Sequence, residues 1–125
     1  MPKSIRPSTS AQRTRLAVWL GGLAAVSLMP LSIKRAIGTT GVLHHAGHLA
    51  AFVVTGILFL QWKRPERSWP WLIWPLAAFA FALEYTEAAV YHNAIEWRDI
   101  VTDILGLLTA LLVYLNLPFL GHRNQ

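Results

Sequence analysis

Four long apolar stretches constrain this chain more than any other feature. They run from about Leu16 to Ile33, Gly47 to Trp62, Trp69 to Val90 and Ile100 to Leu120. A helix needs ~20 mainly apolar residues to cross a bilayer core. The second stretch reaches that length only if it starts near Val42 and takes in its histidines. Backbone polar groups in lipid must pair within their own segment, so helices are the expected form. Short connections favour antiparallel neighbours. The expected fold is all-α: a four-helix transmembrane bundle with up-down antiparallel order. Pro30 and Pro75 fall inside spans and are expected to kink or end helices. Ser68 before Trp69 and Pro70 reads as a helix start.

The charge content fits a lipid-solvated chain. Charged residues make up 14% of the sequence and hydrophobic ones 54%, against about 25% charged in a typical soluble domain. The net charge of +5 does not point to nucleic acid, because the cations sit between apolar segments. Lys3, Arg6, Arg13 and Arg15 precede the first stretch, Lys63, Arg64 and Arg67 follow the second, and Arg123 follows the fourth. Only Lys34, Arg35 and Arg98 fall on the other side. The positive-inside rule then puts both termini in the cytoplasm of a multi-pass integral membrane protein. A bacterial cytoplasmic membrane is the expected setting and the lipid bilayer the expected partner. The first stretch reads as a retained anchor rather than a cleaved signal, since no small-x-small site precedes Lys34 and Arg35. Residues 1–15 read as a disordered basic tail, 16–120 as the membrane domain and 121–125 as a C-terminal tail. With no cysteine, thiolate metal sites and cysteine nucleophiles are excluded. Oligomeric state is left open.

The ionisable residues gather at one end of this arrangement. His44, His45 and His48 open the second helix, Glu84 and Glu87 close the third, and His92 and Glu96 lie in the loop after it. Arg98, Asp99 and Asp103 open the fourth. Charges in a membrane cost ~2.5–3.5 kcal/mol each at a helix centre, so a cluster of them marks a site. His45 and His48 are three apart and share a helix face, as do Glu84 and Glu87; Asp99 and Asp103 are four apart. Small residues such as Ala77, Ala80, Gly106 and Ala110 continue these faces and allow close packing. The faces are expected to converge on one cluster open to the non-cytoplasmic side.

These residues resemble the VanZ-like family of small membrane proteins. The family pattern has Lys-x-x-His-x-x-x-Phe opening one helix and Glu-x-x-Gln closing the next. A loop Arg follows, and then Asp-x-x-x-Asn-x-x-Gly-x-x-x-Gly opens the last helix. The chain reads His45-x-x-His48-x-x-x-Phe52, Glu84-x-x-Glu87, and Asp99-x-x-x-Asp103-x-x-Gly106-x-x-x-Ala110. The resemblance covers roughly Val42 to Leu112. It departs from the pattern at His45 for Lys, Glu87 for Gln, Asp103 for Asn and Ala110 for Gly. The loop Arg would fall near Asn93, so it is absent or replaced by Arg98. The resemblance implies a cell-envelope setting, an accessory role in glycopeptide-antibiotic resistance, and no particular reaction.

Several uses of the cluster stay open. As a binding site for a lipid-linked or glycopeptide ligand outside the membrane, Glu84 and Asp99 form an acidic floor. His48 then donates or ligates, Arg98 compensates charge, and Glu87, Asp103 and His45 complete the set. Tyr85, Tyr91 and Trp97 would rim it. As a divalent-metal site, His45, His48, Glu84 and Asp99 supply nitrogen and oxygen ligands, and a metal-dependent membrane enzyme acting on an envelope lipid-linked substrate becomes an alternative. As a structural network, the same residues pair to set helix register. Proton or ion transport lacks a deep ionisable residue in the cytoplasmic halves of the spans. His44 is expected to face water or headgroups.

Overall fold

The computed structural model describes residues 8–38, 40–63, 71 and 73–116. Five helices follow one another: α1 Thr9–Ser27, α2 Leu31–Ala36, α3 Val42–Lys63, α4 Ile73–Tyr91 and α5 Trp97–Asn116. α1 starts inside the stretch expected as a disordered tail. Its first turn is capped by Ser8, whose side-chain oxygen accepts the Ala11 N–H at 3.2 Å, a bond that satisfies one orphan helix donor. Pro30 then divides the first apolar stretch. It lacks an N–H and cannot continue α1, so it serves as the N-cap of the six-residue α2. Gly38 and Gly41 take positive φ on the way to α3, which glycine does without a Cβ clash. Pro75 sits in the first turn of α4, where a missing N–H is harmless. His92 closes α4 with a φ of 54°, while the Asn93 N–H returns to the Ala88 carbonyl at 3.0 Å. That is the left-handed cap usually held by glycine.

The contacts between α3 and α5 give their direction. His44 and His45 meet Asp99, and His48 meets Asp103. Phe52 lies beside Gly106, and Gly56 beside Ala110. Both residue numbers rise together, so the two helices run parallel, in register by about 54 residues. Their backbones approach closely. A Cβ built on Gly106 would lie 2.7 Å from the Leu49 carbonyl oxygen and 2.9 Å from the Phe52 Cβ. One built on Gly56 would lie 2.5 Å from the Ala110 Cβ. α4 returns the chain between them: the Glu84 carboxylate near its end holds the backbone N–H of Glu96 at 2.8 Å, just before α5. α1 packs on α3, where the Trp19 indole N–H donates to Thr55 Oγ1 at 2.8 Å. The Tyr91 hydroxyl donates to the Leu28 carbonyl at 2.6 Å and joins the ends of α1 and α4. The core consists of Leu16, Phe52, Phe59, Leu76, Ala80 and Leu107.

This corrects the expected four-helix transmembrane bundle. The fold is all-α with five helices, and among the described residues two of them, α3 over Val42–Trp62 and α5 over Trp97–Asn116, are long and apolar enough to span a membrane. α1 falls short because Arg13 and Arg15 occupy its first two turns and Pro30 ends its apolar run. α4 carries Glu84 and Glu87 within one turn. α3 does begin at Val42 and includes its histidines, as its length required. The helix start at Ser68, Trp69 and Pro70, the loop cations Arg64 and Arg67, and the C-terminal tail lie outside the described residues.

The close α3–α5 approach makes a direct prediction. Gly106→Ala must push a methyl group onto the α3 backbone. Overpacking of this kind costs ~1–3 kcal/mol. Thermal unfolding should show a lower midpoint for Gly106→Ala, while Gly22→Ala, where a Cβ meets nothing within 4 Å, should leave the midpoint unchanged or raise it.

Candidate metal centre

The parallel register places the first turns of α3 and α5 side by side, and five polar side chains meet there. Asp99 is the hub. His44 Nε2 lies 2.9 Å from Asp99 Oδ2, and His45 Nδ1 lies 2.9 Å from Asp99 Oδ1. His48 Nε2 is 3.8 Å from Asp99 Oδ2, and His48 Nδ1 is 2.8 Å from Asp103 Oδ1. Asp99 and Asp103 are both only 3% exposed. An unpaired buried carboxylate costs several kcal/mol, so histidine N–H donors are what allow these two to stay inside.

The His48 ring has a decisive orientation. Its Nδ1 lies against Asp103, so when that nitrogen carries the proton of a neutral ring, Nε2 has its lone pair on the side of Asp99 Oδ2, 3.8 Å away. One donor atom each from His44, His48 and Asp99 lie within 4.8 Å of one another. A tetrahedral Zn²⁺ with bonds of 2.0–2.1 Å needs its ligand atoms about 3.3 Å apart. The His44–Asp99 and His48–Asp99 separations of 2.9 and 3.8 Å bracket that spacing. A carboxylate that accepts from the far nitrogen of a ligating histidine is the usual outer partner of such a centre, and Asp103 holds that place on His48. His45 holds the second oxygen of Asp99 in the same way.

The expected site residues separate as follows. His48, Asp99, Asp103 and His45 come together, but the metal-ligand set differs from the expected His45, His48, Glu84 and Asp99. His44 takes the place of His45. At about 100° per residue, positions four apart are offset by ~40° around a helix and positions three apart by ~60°, so His44 shares the inner face with His48 more closely. The i, i+4 spacing is the signal for it, and His44 faces Asp99 rather than water or headgroups. Glu84 is buried but engages the Glu96 N–H rather than the three-donor group. Glu87 pairs with Lys34 of α2. Arg98 is exposed, and among the described residues no ion pair joins it to a carboxylate. The charge compensation expected of Arg98 falls to Lys34, which is 7% exposed. Sequence reasoning missed Lys34 because it lies in the connection after Pro30, whose path is a tertiary matter. Tyr85 and Trp97 are exposed, and the Tyr91 hydroxyl is used at Leu28.

The expectation of an acidic mouth open to an extracytoplasmic ligand is therefore corrected. The carboxylates turn inward and are taken up by histidine, lysine and backbone donors, which makes an internal network. No family model matches the chain, and no curated protein or solved structure is similar to it. The accessory role in glycopeptide resistance thus has neither an open site nor a relative to support it.

Beside the centre lies a cavity of about 300 Å³ between α1, α3 and α4. Leu23, Val26, Ala51, Phe52, Ala80 and Leu83 form its apolar wall. His44, His48, Asp103, Glu84, Glu87 and Lys34 close its polar end.

Removing one partner of a buried ion pair strands the other and is more damaging than removing both. Lys34→Met should lower stability by about 1–3 kcal/mol. Lys34→Met combined with Glu87→Leu should recover at least half of that loss, as read from denaturation midpoints.

Proposed function

We propose that this is a membrane-embedded protein that binds a divalent transition metal at His44, His48 and Asp99. The observation that carries the reading is the convergence of three donor atoms, one of them on a histidine already oriented by Asp103. Two imidazoles and a carboxylate suit Zn²⁺ or Mn²⁺ and do not suit a soft, thiolate-preferring ion. Three protein ligands leave a fourth position open, which is the arrangement of a catalytic rather than a purely structural centre. The adjoining cavity reaches both histidines, so a substrate has a route to that position. Metal-assisted chemistry, by polarising a carbonyl or activating water, is the reaction class this supports.

Membrane embedding is supported by where the apolar surface lies. Val101, Leu105, Leu108 and Leu112 follow one outer face of α5 and are all exposed. A core helix of a soluble protein would bury such a stripe. The resemblance to the VanZ-like family rests on His48, Phe52, Glu84, Asp99 and Gly106. The meeting of Phe52 with Gly106 and of His48 with Asp103 supports reading those motifs as one packed unit.

A second reading also has an observation in its favour. Among the described residues, no buried side-chain nitrogen or oxygen lacks a hydrogen-bond partner. The network can therefore hold α3 to α5 as a structural device with no ion.

Elemental analysis of detergent-purified protein, after Zn²⁺ loading and desalting, separates the two. One equivalent of metal in the wild type and less than a tenth in His48→Ala and Asp99→Ala is the expected result. Asp103→Ala should retain the site with metal affinity lowered about 10–100-fold. Bound metal should also raise the unfolding midpoint, since a ligand held only by the folded state stabilises it. No uptake and no midpoint shift in the wild type would leave the structural network as the function of these residues.

A further inference from the structure

We propose that the cavity between α1, α3 and α4 binds a single-chain amphiphile with an uncharged head, whose carbonyl or hydroxyl oxygen reaches the open metal position. This rests on the metal reading above and names the class of molecule that the centre would act on.

The tail follows from the wall. Leu23 and Val26 of α1, Ala51 and Phe52 of α3, and Ala80 and Leu83 of α4 present no hydrogen-bonding side chain. A buried water needs two to four polar partners, so along this wall an alkyl chain is the favoured occupant. The volume of about 300 Å³ equals roughly ten water molecules at ~30 Å³ each. It also sits at the lower end of the ~300–1,000 Å³ of ligand pockets. That volume suits one chain of medium length.

The head follows from the charge at the other end. Glu84, Glu87, Asp99 and Asp103 are gathered there against one ammonium, that of Lys34. The carboxyl groups outnumber that ammonium four to one, so this end of the cavity is acidic. A carboxylate or phosphate head would add to that excess where screening is weak. An ester, amide or alcohol oxygen adds no charge and can still ligate the metal.

Gly47 allows a clean test. It lines the cavity, and a Cβ built on it meets nothing within 4 Å. Gly47→Leu therefore starts its side chain in open space at the cavity lining and also improves a helical position. Zn²⁺-loaded protein in lipid nanodiscs is titrated with radiolabelled 1-decanoylglycerol, with Gly47→Leu as the baseline and decanoate as the anionic control. The expected result is about one saturable equivalent of 1-decanoylglycerol on the wild type and at least a tenfold loss of affinity in Gly47→Leu. Zn²⁺ uptake by that variant should be unchanged. Decanoate should bind at least tenfold more weakly than 1-decanoylglycerol, and removal of Zn²⁺ should weaken 1-decanoylglycerol binding at least fivefold. Equal binding to wild type and Gly47→Leu overturns the proposal, as does decanoate binding at least as tight as that of the neutral lipid. Saturable binding indifferent to Zn²⁺ also overturns it while leaving the metal centre standing, because metal content is measured separately. Absence of Zn²⁺ uptake marks failure of the metal reading itself.

Discussion

The close contact between α3 and α5 is the constraint on which the rest of the molecule depends. At Gly56 and Gly106 there is no room for a side chain between the two helices. This approach, repeated along a parallel pair, locks both rotation and axial register. Once Gly106 sits against Leu49 and Phe52, His48 must face Asp103 one turn earlier, and His44 and His45 must face Asp99. A looser contact would let either helix turn, and the carboxylates would lose their donors. The polar cluster is thus positioned by its smallest residues.

The cluster in turn explains the path of the chain around it. Asp99 and Asp103 are almost wholly removed from solvent, and each needs strong donors to remain there. Histidines of α3 supply them. Glu84 meets its need from the backbone N–H of Glu96 and so anchors the start of α5 to the end of α4. Glu87 meets its need from Lys34, which brings the short α2 down onto the same end of the molecule. Asp99 and Asp103 tie α5 to α3, Glu84 ties α4 to the start of α5, and Glu87 ties α4 to α2. Such cross-links between elements fix the orientation of His44, His48 and Asp99.

The same helices face two different surroundings. α5 turns Asp99, Asp103, Gly106 and Ala110 inward and Val101, Leu105, Leu108 and Leu112 outward. The inner face sets these polar and small residues beside the buried Ile100 and Leu107, and the outer stripe is apolar.

Much of this was legible in the residues. The helical character of the apolar stretches, the histidines within α3 and the grouping of acids at the ends of α4 and α5 follow from spacing and composition. So does the role of Gly106, because a small residue on a polar face has few other uses. What the one-dimensional pattern left undecided was the rotation of each helix about its axis and the route of the connections. Each residue turns the helix by about 100°, so whether His44 or His45 joins His48 depends on a rotation that only packing against Gly106 imposes. Likewise, Lys34 rather than Arg98 neutralises Glu87 because Pro30 breaks the first apolar run and folds α2 over the cluster. The sequence by itself determined which groups must find partners away from water. The tertiary structure decided which partners those are, because hydrogen bonds require contact within about 3 Å, and contacts between residues some 50 positions apart are made only by the packed fold.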